Sequence, residues 1–315
     1  MSGRKPGAEK KMADEDDRNL TEPETGGEPV WEGQVYTSAD GTRRVLRRRP
    51  PVLEACHLGV EFDDRYILHD INLKVHKGET LAIIGESGCG KTVFLKTAIR
   101  LIAPTEGTVL FSGIDLGELN SRQLSEVRTR IGFVFQQAAL FDSMSIGENI
   151  MFPILQMNPR TSRSELQDRV ADLLLEVGMT PEVADRMPVE LSGGMRKRVG
   201  FARALAAEPE LMLYDEPTTG LDPIMSDVIN ELMIRARDNH KVTGIVVTHD
   251  MKSAKKVANR IVMFYPQSRL DEGESQIVYD GPADDIDNSK DRRVTQFVEG
   301  IAGERLMEMT HTRSE

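Results

Sequence analysis

The chain has 315 residues, 39% of them apolar, and carries 51 acidic against 40 basic residues for a formal charge of −11. That balance leaves no electrostatic basis for nucleic acid as a main partner, and two cysteines, Cys56 and Cys89, make no disulfide framework and fit a reducing compartment. No apolar run reaches the roughly 18 residues a membrane-spanning helix needs, and the N-terminus lacks the apolar segment of a secretory signal, so any membrane is expected to be met through a partner.

Residues 1–50 are expected to be a disordered charged tail. Met1–Val30 is rich in Glu, Asp, Lys, Gly and Pro and too poor in apolar residues to offset the entropy of ordering. Arg43, Arg44, Arg47, Arg48 and Arg49 follow, closed by Pro50 and Pro51; the cluster reads as a solvated linker or as a contact for anionic lipid headgroups. A compact domain is predicted over 51–282. In it Leu53–Phe62 and Ile71–Val75 alternate as short strands, and Leu81-Ala82-Ile83-Ile84 is a buried strand running into a glycine-rich loop. Val93–Leu101 then has helical spacing. Between about 139 and 203 the pattern turns helical, at Arg163–Val177 and Gly194–Leu205, which predicts a helical subdomain inserted into an α/β core. Leu211-Met212-Leu213-Tyr214 and Gly244-Ile245-Val246-Val247-Thr248 are apolar runs of the kind found in parallel sheets. Residues 283–315 form a C-terminal extension in which Val294, Phe297, Val298 and Ile301 recur at helical spacing after Asp284, Asp285 and Asp287; this apolar face is expected to pack on the core or on a partner.

The stretch Gly85-Glu86-Ser87-Gly88-Cys89-Gly90-Lys91-Thr92 matches G-x-x-x-x-G-K-[ST], the phosphate-binding loop between a strand and a helix. Its glycines permit turns that aim backbone N–H groups at phosphate oxygens, and the helix opening near Lys91 adds its positive dipole end. Lys91 is placed to reach the β- and γ-phosphates, and Thr92 to offer a hydroxyl to Mg²⁺. Leu211–Tyr214 delivers Asp215 and Glu216 to a strand end, where open α/β sheets bind ligands. Asp215 suits the Mg²⁺-holding role and Glu216 the polarising of an attacking water. Taken alone, His249 reads as a γ-phosphate contact or a structural histidine, and Gln136 as a Mg²⁺ ligand or a polar strand end. Leu191-Ser192-Gly193-Gly194-Met195, a Ser-Gly-Gly turn opening a helix, is a second anion site.

In combination these residues resemble the nucleotide-binding subunits of ATP-binding cassette (ABC) transporters, over roughly 51–282 and with six motifs in order. The resemblance implies the ABC ATPase fold, a P-loop NTPase (RecA-like) α/β core with an inserted helical subdomain. It makes Gly85–Thr92 the Walker A loop, Gln136 the Q-loop glutamine, Leu191–Met195 the signature, Leu211–Glu216 the Walker B strand, Gly220-Leu221-Asp222 the D-loop and His249 the switch histidine. It further implies an aromatic ring stacked on adenine, at Phe62 or, failing that, Tyr66. Two chains are expected to close head to tail on two ATP molecules with Mg²⁺, the Ser192, Gly193, Gly194 and Asp222 of one acting on the ATP of the other.

Shorter strings are similar to the ATPases of Mla/Mce-type lipid transporters. They are Met195 with the basic Arg196-Lys197-Arg198-Val199, Phe135-Gln136-Gln137-Ala138-Ala139-Leu140-Phe141, Asp222-Pro223-Ile224, and Arg293-Val294-Thr295-Gln296-Phe297-Val298-Glu299-Gly300. The expectation is therefore an ATPase subunit, peripheral on the cytoplasmic face of the inner membrane, powering transport of phospholipid or another hydrophobic molecule. Its partners would be an integral permease, a Mce-type lipid-binding protein and an accessory subunit. An amino-acid (methionine-type) importer ATPase and a non-transport ABC ATPase are the alternatives. The permease is expected to sit in an apolar groove over 136–152, formed by Leu140, Phe141, Met144, Ile146 and Met151.

Overall fold

The computed structural model describes residues 51–301 in full and, before them, the backbone of two short strands. The chain divides into two units, Met1–Arg48 and Arg49–Glu315. In the first, β1 (Gln34–Thr37) pairs antiparallel with β2 (Arg43–Leu46). This corrects the expectation of a tail without regular structure over those two segments; Asp40-Gly41 between them is a hairpin signal. The rest of 1–50 lies outside the described residues, as does 302–315.

In the second unit the chain runs β3 (Pro51–Phe62), β4 (Arg65–His76), β5 (Thr80–Gly85), α1 (Lys91–Ala98), β6 (Glu106–Phe111), β7 (Ile114–Asp115), α2 (Ser121–Arg128) and β8 (Ile131–Val134). There follow α3 (Ile146–Met157), α4 (Arg163–Glu176), two 3₁₀ turns, and α5 (Gly193–Leu205), which make up the inserted helical subdomain. The chain returns through β9 (Leu211–Asp215), α6 (Pro223–His240), β10 (Thr243–Val247), α7 (Met251–Val257), β11 (Arg260–Phe264), β12 (Ile277–Pro282) and α8 (Arg292–Glu299).

Every residue of β5, β9 and β10 is buried, as expected of strands covered on both faces of a parallel sheet. The sheet order is β12-β11-β5-β10-β9-β8, all parallel except β12 on the edge. A second, antiparallel sheet is ordered β4-β3-β6-β7. Alternation along the strands divides the core. Leu81, Ile83, Leu213 and Val247 face the antiparallel sheet and α1, while Met212, Tyr214 and Val246 face the helical subdomain and α6. Ala82 and Ile84 join Ile261, Met263 and Ala254 in a third cluster, which Val294 of α8 completes. The described part of the C-terminal extension thus packs on the core. Phe297 and Val298 pack against the same cluster, while Ile301 is exposed beyond the left-handed Gly300 that ends the helix.

With β5, β9 and β10 side by side, their C-terminal ends open on one edge of the sheet. The glycine loop, the acidic pair and His249 all follow from those ends.

Candidate functional site

The glycine loop leaves β5 and re-enters the fold as α1, whose N-terminus carries no side-chain cap, leaving its first amides for a ligand. Two of its glycines are required by close packing. A Cβ on Gly85 (φ +142°) would lie 2.3 Å from the Phe264 carbonyl oxygen, and one on Gly90 (φ +97°) 2.6 Å from Leu68 Cδ2 and 3.0 Å from the Ile67 carbonyl oxygen. The loop is therefore clasped between the end of β11 and β4. Lys91 is buried, and its Nζ donates to the carbonyls of Gly85 (2.7 Å) and Glu86 (2.8 Å). An ammonium held by two carbonyls of its own loop is poised to transfer to an anion seated there.

Thr92 Oγ1 donates to Asp215 Oδ1 at 2.8 Å, joining the start of α1 to the end of β9. Burial raises the Asp215 carboxyl above its ordinary range, and Glu216 adds to this; the Thr92 hydrogen bond and the lysines Lys96 and Lys91 oppose it. Glu216 sits at φ +47°, its N–H donating to the Val247 carbonyl at 2.9 Å, so the turn after β9 is bent toward the end of β10. Its Oε2 accepts from Thr219 Oγ1 at 3.1 Å and lies 2.9 Å from His249 Nδ1.

These groups face a cleft of about 540 Å³. Of the residues singled out from the sequence, Phe62, Ser87, Gly88, Gly90, Lys91, Thr92, Gln136, Glu216 and His249 line it. Gly85, Glu86, Cys89 and Asp215 are not part of that lining. Phe62 is 47% exposed at the rim, with Ile67 beside it in the lining. Tyr66 is turned away, its hydroxyl donating to Glu106 at 2.7 Å and its ring edge-on to His69. Ile67 and Thr219 were not legible in advance, because neither residue type carries a chemical signature at its position.

The Ser-Gly-Gly turn is elsewhere. Ser192 caps α5, its hydroxyl accepting from the Met195 N–H at 3.3 Å, and Asp222 caps α6 by accepting from Ile224 and Met225. Neither Ser192, Gly193, Gly194 nor Asp222 lines the cleft of its own chain. A Cβ on Gly193 would meet nothing within 4 Å, so that face of the turn is open. Lys197 of α5 is buried and donates to the carbonyls of Pro217 (2.8 Å) and Thr219 (2.6 Å). Burial lowers its pKa while Glu216 pulls the other way. A buried lysine between two arginines in a basic run gave no sequence sign of this role.

The apolar groove expected over 136–152 exists in altered form. Ile146 is fully buried in the helical core, and Leu140 and Met151 are half-buried against it. Those side chains point inward because α3 must cover the subdomain core. The groove, about 560 Å³, is instead lined by Phe133, Phe135, Phe141 and Phe152 with Gln156 and Arg203. Phe141 is 41% and Phe152 37% exposed, their rings 5.0 Å apart.

Four similarities bear on identity. A family profile described as ABC transporter matches residues 68–219. The chain is 37% identical over 249 residues to the intermembrane phospholipid transport system ATP-binding protein MlaF of Haemophilus influenzae, covering 79% of this chain and 90% of that one. It is 42% identical over 243 residues to the choline transport ATP-binding protein OpuBA of Bacillus subtilis, covering 76% of this chain and 59% of that one. Among solved structures, a dimeric ATP-binding cassette in a post-hydrolysis state bound to ADP and Pi superposes with TM-score 0.65 at 31% identity, covering 73% of this chain and 98% of that one. With a parallel sheet that gathers a glycine loop and an acidic strand end on one cleft, the chain belongs to the ABC transporter family, as an ATP-binding and ATP-hydrolysing subunit.

Proposed function

We propose that this ATPase powers the movement of phospholipid or another hydrophobic molecule across or between cell-envelope membranes. The observation that carries the substrate class is the match to the phospholipid-transport ATPase of H. influenzae along 90% of that chain's length. The chain would sit on the cytoplasmic face of the inner membrane, held by an integral permease in the groove of Phe141 and Phe152. Among the described residues no helix is long and apolar enough to cross a membrane. A Mce-type lipid-binding protein and an accessory subunit complete the expected assembly. The greater identity to a choline-transport ATPase favours a second reading, an importer ATPase for a small solute. Purification of the complex from membranes, followed by mass spectrometry of what it carries, decides between them. Bound phospholipid and a Mce-domain subunit support the first reading; a solute-binding protein with no lipid supports the second.

The chemistry follows from the cleft. The loop amides and Lys91 would take the phosphates, with Phe62 stacking on the base at the rim. Thr92, Asp215 and Gln136 present hydroxyl, carboxylate and amide oxygens, a donor set suited to Mg²⁺. The remaining ligands of such a metal would be water and phosphate. When bound, Mg²⁺ would neutralise charge on the phosphates. Glu216 takes the proton of the attacking water, and His249 holds that carboxylate in place. Ser192 and Gly193, exposed in one chain, and the half-buried Gly194 would act with Asp222 on the nucleotide of a second copy. Each chain carries one cleft and one signature turn, so a head-to-tail homodimer completes both sites.

A further inference from the structure

The connection between β11 and β12 spans 265–276, long for two antiparallel neighbours, which are ordinarily joined by about 2–5 residues. Tyr265 N–H donates to the Gln276 carbonyl at 2.9 Å, closing its neck, so the excess length forms an excursion. That excursion returns to the glycine loop twice. Arg269 pairs with the Glu86 carboxylate at 2.9 Å. Gln276, 2% exposed, donates from Nε2 to the carbonyls of Cys89 (3.1 Å) and Ile67 (2.9 Å), and its Oε1 accepts from the His69 N–H at 3.0 Å. The amide orientation is dictated by its surroundings, since two carbonyls can only accept and one N–H can only donate. Gln276 thus joins β4 to the loop residue just before Gly90 and Lys91. At its outer side the excursion is tied to α8, with Arg293 3.3 Å from Glu274 and 5.2 Å above the Tyr265 ring.

We propose that 265–276 is a brace for the phosphate-binding loop and that Gln276, seconded by Arg269, is a positioning residue for nucleotide binding. The proposal rests on the reading that Gly85–Thr92 holds the triphosphate. No residue of the brace itself lines the cleft; Gln276 reaches it through the backbone carbonyls of Ile67 and Cys89, and so acts by fixing where the Cys89–Lys91 peptide groups lie. A loop already held in its bound shape loses less entropy on binding, so loosening it weakens nucleotide binding more than it slows the chemical step.

The test uses the full chain, with ATP displacing trinitrophenyl-ATP at equilibrium and phosphate release measured against ATP concentration. Gln276→Leu is expected to raise the ATP Kd and KM about ten-fold, the scale of one or two lost hydrogen bonds, with kcat at saturation within about two-fold. Arg269→Leu, a change on a half-buried turn that leaves the core intact, is expected to raise Kd about three-fold, and Arg269→Lys to recover most of it. Should Gln276→Leu not fold, the Arg269 pair decides. Wild-type Kd in folded variants, or a fall in kcat at unchanged Kd, overturns the brace. Lys91→Ala separates the two readings. If it binds ATP normally, the loop assignment fails and the brace with it; if it loses ATP while the brace variants bind normally, the brace alone fails.

Discussion

His249 Nδ1 lies 2.9 Å from Glu216 Oε2, although the two residues follow different strands. The register explains the meeting. Val247 of β10 pairs with Asp215 of β9, so the chain segments that follow each strand emerge side by side at the sheet edge. The left-handed backbone at Glu216 then turns its carboxylate toward the imidazole. His249→Ala is expected to lower kcat about 10²-fold while ATP affinity stays within about two-fold. Loss of binding as the main effect would place His249 on the phosphates instead.

Asp215 gives a prediction about stability and pH. Burial raises its carboxyl pKa in the folded chain, so the ionised form is less favoured there than in the unfolded chain. For an acid the sign is then fixed: the destabilisation is full at neutral pH and disappears as pH falls through the raised value toward the ordinary aspartate range. Asp215→Asn removes the charge and can keep the hydrogen bond from Thr92. The variant is expected to raise the Tm of the nucleotide-free chain near pH 7, with the gap closing by about pH 4, while Mg²⁺-dependent turnover is lost. A Tm below wild type at pH 7 would contradict the account.

Action in trans is tested by complementation. Lys91→Ala disables the loop of a chain, and Ser192→Arg its signature turn; each homodimer is expected to be inactive. Mixed in equal amounts, half the dimers combine the two, and each of those keeps one intact site, so activity should return to about a quarter of wild type. If Ser192 acted on its own chain's nucleotide, no activity would return.

The parts of the fold written in continuous apolar runs were legible: the buried strands, the glycine loop after β5 and the acidic pair after β9 follow from composition and order alone. The edges were not. β6 and β12 and the long 265–276 connection carry mixed sequences whose pairing depends on neighbours distant in the chain, and the short apolar run of β11 was passed over. The groove was misread for a related reason. Leu140, Ile146 and Met151 are apolar because the helical core needs them, and only the packed structure separates them from the outward Phe141 and Phe152. Lys197 and Gln276 were invisible because each works by hydrogen bonding backbone carbonyls, which any sequence presents.

Phe141 and Phe152 are exposed without contributing to the core, so replacing them tests the membrane assembly alone. The double change Phe141→Glu, Phe152→Glu is expected to leave basal ATPase within about two-fold and Tm within about 2 °C. Co-purification of the integral membrane subunit from detergent extracts should be abolished. Unchanged co-purification would move the permease contact elsewhere.

The central claim is that this cleft hydrolyses ATP with Glu216 as the base. Steady-state phosphate release at saturating Mg-ATP, compared between wild type and Glu216→Gln, tests it most directly. A fall of about 10³-fold is expected with ATP binding retained; equal rates would remove Glu216 from the mechanism.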